Sequence, residues 1–150
     1  MVGVRLADLS DIPGMIDMLK RCFDEMDFKS NGYSFDKDSC VSTLKFVIGG
    51  GGFVIVNEEI TAIFGVFNVP SFMDYSDHKM TEFVFHTDPL CGTFKRARLS
   101  KQLLSASEKE TRKRGITRLH VSASCRIKDA SAFLVKSGYT AQEISFSKEV

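Results

Sequence analysis

Val4-Arg5-Leu6-Ala7-Asp8-Leu9-Ser10-Asp11-Ile12-Pro13 contains a change of hydrophobic period. Val2 to Leu6 is a short β-branched and aliphatic run that reads as a first strand. Ser10 and Asp11 then offer helix-capping side chains, and Pro13 falls in a first turn, where its missing N–H costs nothing. From there Ile12, Met15, Ile16, Leu19, Phe23 and Met26 recur at steps of three and four, with Asp17, Lys20, Arg21 and Asp24 on the opposite side. That spacing predicts an amphipathic helix with one face on a core. A strand leading through a cap into such a helix points to an α/β domain.

Working outward, 31–38 is a polar loop, and Val41, Leu44, Phe46, Val47 and Ile48 predict a second, shorter helix capped near Asp38 or Ser39. Gly49 to Gly52 ends it. Four glycines in a row can cradle a phosphate, but no lysine, serine or threonine completes a nucleotide loop here, so a flexible helix-to-strand link is the simpler reading. Phe53 to Val56 and Ile60 to Val69 are strand-type runs joined at Asn57, Glu58 and Glu59, a tight hairpin closed before Pro70. Met80 to His86 is a fourth strand, reached through a polar loop, 71–79, that carries Asp74, Tyr75, Asp77 and His78. A long helix is expected from about Lys95 to Arg114, ended by Gly115. A strand at Leu119 to Ser122, a helix at Lys128 to Ser137 ended by Gly138, and a last strand at Tyr139 to Phe146 complete the chain. The expected order is βααβββαβαβ, in one domain spanning 1–150.

The bulk numbers agree with a single soluble domain. The 150 residues are 43% hydrophobic and 26% charged, with a formal net charge of +1. That balance gives no global pull toward nucleic acid or an anionic membrane. The four cysteines, Cys22, Cys40, Cys91 and Cys125, are scattered without metal-ligand spacing, which suits a reduced, cytoplasmic protein with no metal site. No signal-like leader and no run of about 18 apolar residues is present.

Taken over the whole chain, this order of elements resembles the GNAT superfamily of acyl-CoA N-acyltransferases. The opening Val4 to Pro13 is similar to the usual first strand and cap of the family. The hairpin end Ile63-Phe64-Gly65 is similar to its third strand, and Ala130-Ser131-Ala132-Phe133-Leu134-Val135-Lys136-Ser137-Gly138-Tyr139 to its last helix-to-strand corner. The resemblance implies a mixed, mostly antiparallel sheet with about four helices. It also implies acetyl-CoA as co-substrate, a small-molecule or protein amine as acceptor, and transfer by direct attack of the amine on the thioester. A homo-oligomer is compatible with it. In the leucine after Phe133 the chain further resembles short GNAT-like proteins of tailed bacteriophages.

The family's pyrophosphate motif is an arginine or glutamine, two free positions, a glycine, one free position, then glycine or alanine. It falls here on Lys95-Arg96-Ala97-Arg98-Leu99-Ser100, with both small positions changed. Lys95, Arg96, Arg98 and Lys101 crowd the expected helix start, where the macrodipole disfavours cations and an anionic partner would relieve the strain. A solvated basic turn is the alternative, and a nucleic-acid backbone fits poorly without interleaved aromatics. The family's catalytic asparagine and tyrosine positions fall on Ile127 and Leu134. The usual acid is therefore missing, unless Ser124, Cys125 or Tyr139 substitutes.

For the base, the resemblance points to the fourth strand, where Glu82 stands. Unbroken alternation places Glu82, Val84 and His86 on one face and Phe83 and Phe85 on the other, so that Glu82 and His86 line one cleft. The plainer alternatives are a surface carboxylate and a strand-end histidine. His78 and His120 show no partner pattern. Backbone groups of Val84, Phe85 and His86 are expected to hold the pantetheine. Two hypotheses follow: an N-acetyltransferase, or a degenerate GNAT-fold binding or structural module, in a phage a virion or host-interaction protein. The changes at Arg98, Ser100, Ile127 and Leu134 favour the second, while tolerance of a missing tyrosine favours the first.

Overall fold

A computed structural model of the chain describes residues 3–123, 129–148 and 150. Five strands form one sheet in the spatial order β1-β2-β3-β4-β5, where β1 is Val4–Leu6, β2 Gly52–Asn57, β3 Ala62–Pro70, β4 His78–Thr87 and β5 Leu119–His120. The first four pair antiparallel, and β5 joins β4 in parallel. Four helices cover the sheet: α1 (Ile12–Glu25), α2 (Lys37–Phe46), α3 (Thr93–Lys113) and α4 (Ala130–Lys136).

The sheet separates two cores. Val54, Val56, Ile63 and Val84 meet Met15, Ile16 and Met18 of α1 and Leu44 of α2 on one face. Phe53, Ile55, Phe64, Val66 and Met80 meet Leu99, Leu103 and Leu104 of α3 and Leu134 of α4 on the other. β2 is therefore buried along its whole length, which explains why Phe53 to Val56 reads as a continuous apolar run.

The entry to α1 is built by Asp8 and Asp11, not by Ser10. Asp8 caps a short 3₁₀ turn at Leu9–Asp11 by accepting from the Ser10 amide, while the Asp11 carboxylate accepts from the Asp8 amide at 2.9 Å. Arg5 closes a two-pronged ion pair on Asp11 at 2.8 and 2.9 Å, tying β1 to the helix start. Asp36 caps α2, so that helix begins at Lys37, ahead of the expected cap at Asp38 or Ser39. The glycine run forms a π-type turn at Val47–Gly51 and then enters β2 at Gly52.

Two expectations are corrected here. Helix α3 starts at Thr93, two residues before Lys95. The last strand expected at Tyr139 to Phe146 does not form: 139–148 pairs with no strand, and Ile144 and Phe146 are 82% and 91% exposed. An alternating pattern needs a partner edge to become a strand. The expected Ser124, Cys125 and Ile127 lie outside the described residues, as does the start proposed for α4 at Lys128.

Candidate functional site

The centre of β4 is irregular. Its register against β3 runs Phe64↔Phe85 and Gly65↔Val84, then jumps to Val66↔Glu82, leaving Phe83 without a partner. This β-bulge is accommodated by Gly65, because a Cβ there would lie 2.5 Å from the Phe83 ring and 3.0 Å from Val84. Phe83 stacks on Phe67 at 4.6 Å. On its other side β4 pairs with β5 only at Met80↔Leu119 and Thr81↔His120. Past that point the ladder stops. The Glu82 carboxylate accepts from the Ser122 amide at 3.0 Å, a side chain standing where strand-to-strand hydrogen bonds would otherwise continue.

The bulge breaks the alternation on which the expected pairing of Glu82 with His86 rested. Directly opposed residues of antiparallel strands share a face. By register Glu82, opposite Val66, starts on the α3–α4 side and His86, opposite Ile63, on the α1–α2 side. Yet at the open edge of β4 the Glu82 carboxylate still acts on Cys22 of α1 together with Glu25. Val84 turns with His86 into the α1–α2 core, and Phe85 packs against Phe64 and Phe133 on the other face.

The two groups also differ in chemistry. Burial raises the Glu82 pKa above the ordinary carboxylate value, opposed by the Ser122 N–H, which favours the charged form. His86 is buried, with Nε2 2.9 Å from Oε2 of Glu25 at the end of α1. Its pKa is lowered, first by desolvation; Glu25 and Asp88 pull it up while Arg96 and Arg21 push it down. His86 is thus enclosed, 3% exposed, with its Nε2 turned toward Glu25.

The basic cluster at α3 is also arranged differently from the sequence expectation. Because α3 begins at Thr93, and Arg96 N–H already donates to Gly92 O, the motif positions Arg98 to Ser100 lie inside the helix. The amides left without an intrahelical acceptor are those of Thr93, Phe94 and Lys95. Two of the cations carry internal counter-ions: Lys95 pairs with Glu59 at 2.8 Å, and Arg96 pairs with Glu25 at 3.1 Å and donates to Thr87. The strain expected of a crowded helix start is thus partly relieved within the chain. Arg98 and Lys101 are exposed and form no ion pair among the described residues, Ser100 is half-buried, and Leu99 is a core residue.

Leu134 is buried in the α3–α4 core. The Tyr139 hydroxyl is committed to Glu108 at 3.1 Å, and its pKa is raised by burial and by that carboxylate. Sequence reasoning missed Glu25, Ser122 and the bulge. The isolated Gly65 inside a strand pattern was the available signal for the last of these. No group of residues suited to hold a metal ion occurs among the described residues.

Neither a family model nor a curated protein sequence matches the chain. Solved structures do. The chain superposes on a protein of Arthrobacter sp. FB24 designated an acetyltransferase, with TM-score 0.78 and 21% identity over 100% of this chain and 97% of that one. It superposes on a Clostridium acetobutylicum protein designated an acetyltransferase, crystallised with acetyl-CoA, with TM-score 0.73 and 16% identity over 99% and 96%. It also superposes on a transcriptional regulator from Bacillus halodurans C-125, with TM-score 0.77 and 19% identity over 100% of both. At such identities the likeness concerns the backbone, and one backbone carries differently designated proteins. With its five-stranded mixed sheet, two helices on each face and a β4 that parts from β5, the chain has the GNAT-type acyl-CoA N-acyltransferase fold.

Proposed function

We propose that the chain is an N-acyltransferase moving an acetyl or related acyl group from coenzyme A to an amine. The observation that carries this reading is the opening at the β4 bulge. Phe83 is unpaired, the β4–β5 ladder ends at Thr81↔His120, and a carboxylate of raised pKa sits where the strands part. An extended pantetheine, with its two amides, can add to the freed edge of β4 as a short strand would. Backbone N–H groups at Val84, Phe85 or His86 then polarise the thioester carbonyl. The amine nitrogen attacks the carbonyl carbon, Glu82 accepts the ammonium proton, and the C–S bond breaks to release the coenzyme A thiolate, which solvent protonates. A carboxylate that burial makes more basic suits this task.

For the phosphates the chain offers the three α3 amides at Thr93 to Lys95 and the charges of Arg98 and Lys101, which carry no ion pair among the described residues. A second reading rests on the same helix. Because α3 runs unbroken through Lys95 to Ser100, the amides that the motif would present are spent inside it. That favours a binding or structural module, such as a phage virion or host-interaction component.

Calorimetric titration with acetyl-CoA at low ionic strength separates the two. The enzyme reading expects binding that weakens steeply with salt, and no heat at millimolar ligand would leave the module reading in its place.

A further inference from the structure

The two ends of β4 carry exposed apolar surfaces of opposite charge. Before the strand, the 71–77 loop is held in one shape: Ser71 N–H donates to Asp77 O at 2.7 Å, Ser76 N–H to the Asp74 carboxylate at 2.9 Å, and Arg118 to the Asp77 carboxylate at 2.9 Å. This ordered loop directs Phe72, Met73 and Tyr75 into solvent at 88%, 87% and 75% exposure. Asp74, between them, meets no cation among the described residues. After the strand, the turn at Pro89–Cys91 and the first turns of α3 present Leu90 and Phe94 at 89% and 93% exposure. Phe94, Arg98 and Lys101 fall at i, i+4 and i+7, one stripe of the helix. Lys95 and Arg96 are neutralised by Glu59 and Glu25, so the net charge of this end comes from Arg98 and Lys101.

Large apolar side chains grouped on an ordered loop mark interaction surfaces more often than chance exposure does. Here an acidic apolar knob and a basic apolar stripe lie at opposite ends of a ten-residue strand, about 30 Å apart at the rise of a β-strand. Each offers what the other lacks.

We propose that the partner is a second copy of this chain, docked head to tail, with the Phe72–Tyr75 loop of one copy on the Phe94–Lys101 stripe of the next. Because the two patches differ and lie far apart, the contact is heterologous. It extends into a chain or closes into a ring, and it does not form a two-fold dimer.

Sedimentation velocity over a concentration series tests this. At low salt the average mass should rise with concentration past that of a dimer, and high salt should reverse it. Asp74→Lys alone, and the pair Arg98→Glu and Lys101→Glu alone, should each weaken association at least tenfold. An equimolar mixture of the two variants should restore it, since each reversed loop then meets a reversed stripe. Phe72→Ser should weaken association without altering the far-ultraviolet circular dichroism, which separates loss of contact from loss of fold. A wild type monomeric at every concentration and salt overturns the proposal. So does association that stops at a dimer, survives the charge reversals or is not restored by mixing.

Discussion

Gly65 decides the geometry of the β4 opening, since the Phe83 ring occupies the place of a Cβ. Gly65→Ala must displace that ring or flatten the bulge. It should cost about 1–3 kcal/mol as an overpacked core site, read by urea denaturation, and it should weaken acetyl-CoA binding beyond any loss of folded protein. Glu82 carries a second prediction at this scale. Its folded pKa is raised above the unfolded value, so the folded state binds the proton more readily. The penalty is absent below the unfolded carboxylate pKa, grows as pH rises toward the folded pKa, and is constant above it. Glu82→Gln should therefore be the more stable protein at neutral pH and lose that advantage in acid, as thermal melts at several pH values would show. If Glu82 is the base, the same variant should lose turnover by about 10²-fold or more, with acetyl-CoA affinity little changed. A variant with wild-type turnover across pH would return proton removal to solvent.

At the scale of elements, α1 is secured at both ends by charge. Arg5 and Asp11 lock its start, and Glu25 joins its end to β4 and α3. Arg5 holds the Asp11 carboxyl below the usual range, so this contribution is present above the unfolded carboxylate pKa and is lost as pH falls through the folded one. Asp11→Ala, which also removes the acceptor of the Asp8 amide, should cost about 1–2 kcal/mol in denaturant unfolding. The start of α3 separates two arginines that look equivalent in sequence. Arg96→Glu sets a carboxylate against Glu25 and should lower stability by about 1 kcal/mol, as expected for a partly exposed pair. Arg98→Glu, exposed and without an ion pair among the described residues, should leave the fold unchanged while reducing coenzyme A affinity. Equal effects of the two on unfolding would contradict the ion-pair geometry.

For the whole molecule, the two cores meet through a sheet whose described core contacts end near Tyr139. Ending the chain after Tyr139 removes residues that pair with no strand among those described, Ile144 and Phe146 exposed among them, and should shift the melting temperature by no more than about 2 °C, within the usual range of surface changes. A large drop would mean that the expected last strand forms on the outer edge of β5.

Up to the last expected strand, the element order was legible from residue pattern alone because period and punctuation are local. Ile12 to Met26 repeats at helical steps, Phe53 to Val56 is apolar on both faces, and Gly115 and Gly138 follow helices at positive φ of 75° and 91°. Glu82 was reached through the family resemblance, which points to the fourth strand. The break in register between Glu82 and His86 was not legible, because alternation assumes an unbroken pleat, and one extra residue at Phe83 reverses the alternation beyond it. The charge at α3 was misjudged for a related reason: Glu25 and Glu59, which neutralise Arg96 and Lys95, lie 71 and 36 residues away in the chain. The sequence determined most of the helices and strands, the last expected strand excepted. Only the folded chain decided which faces and charges they share, since those depend on pairings between segments remote from one another.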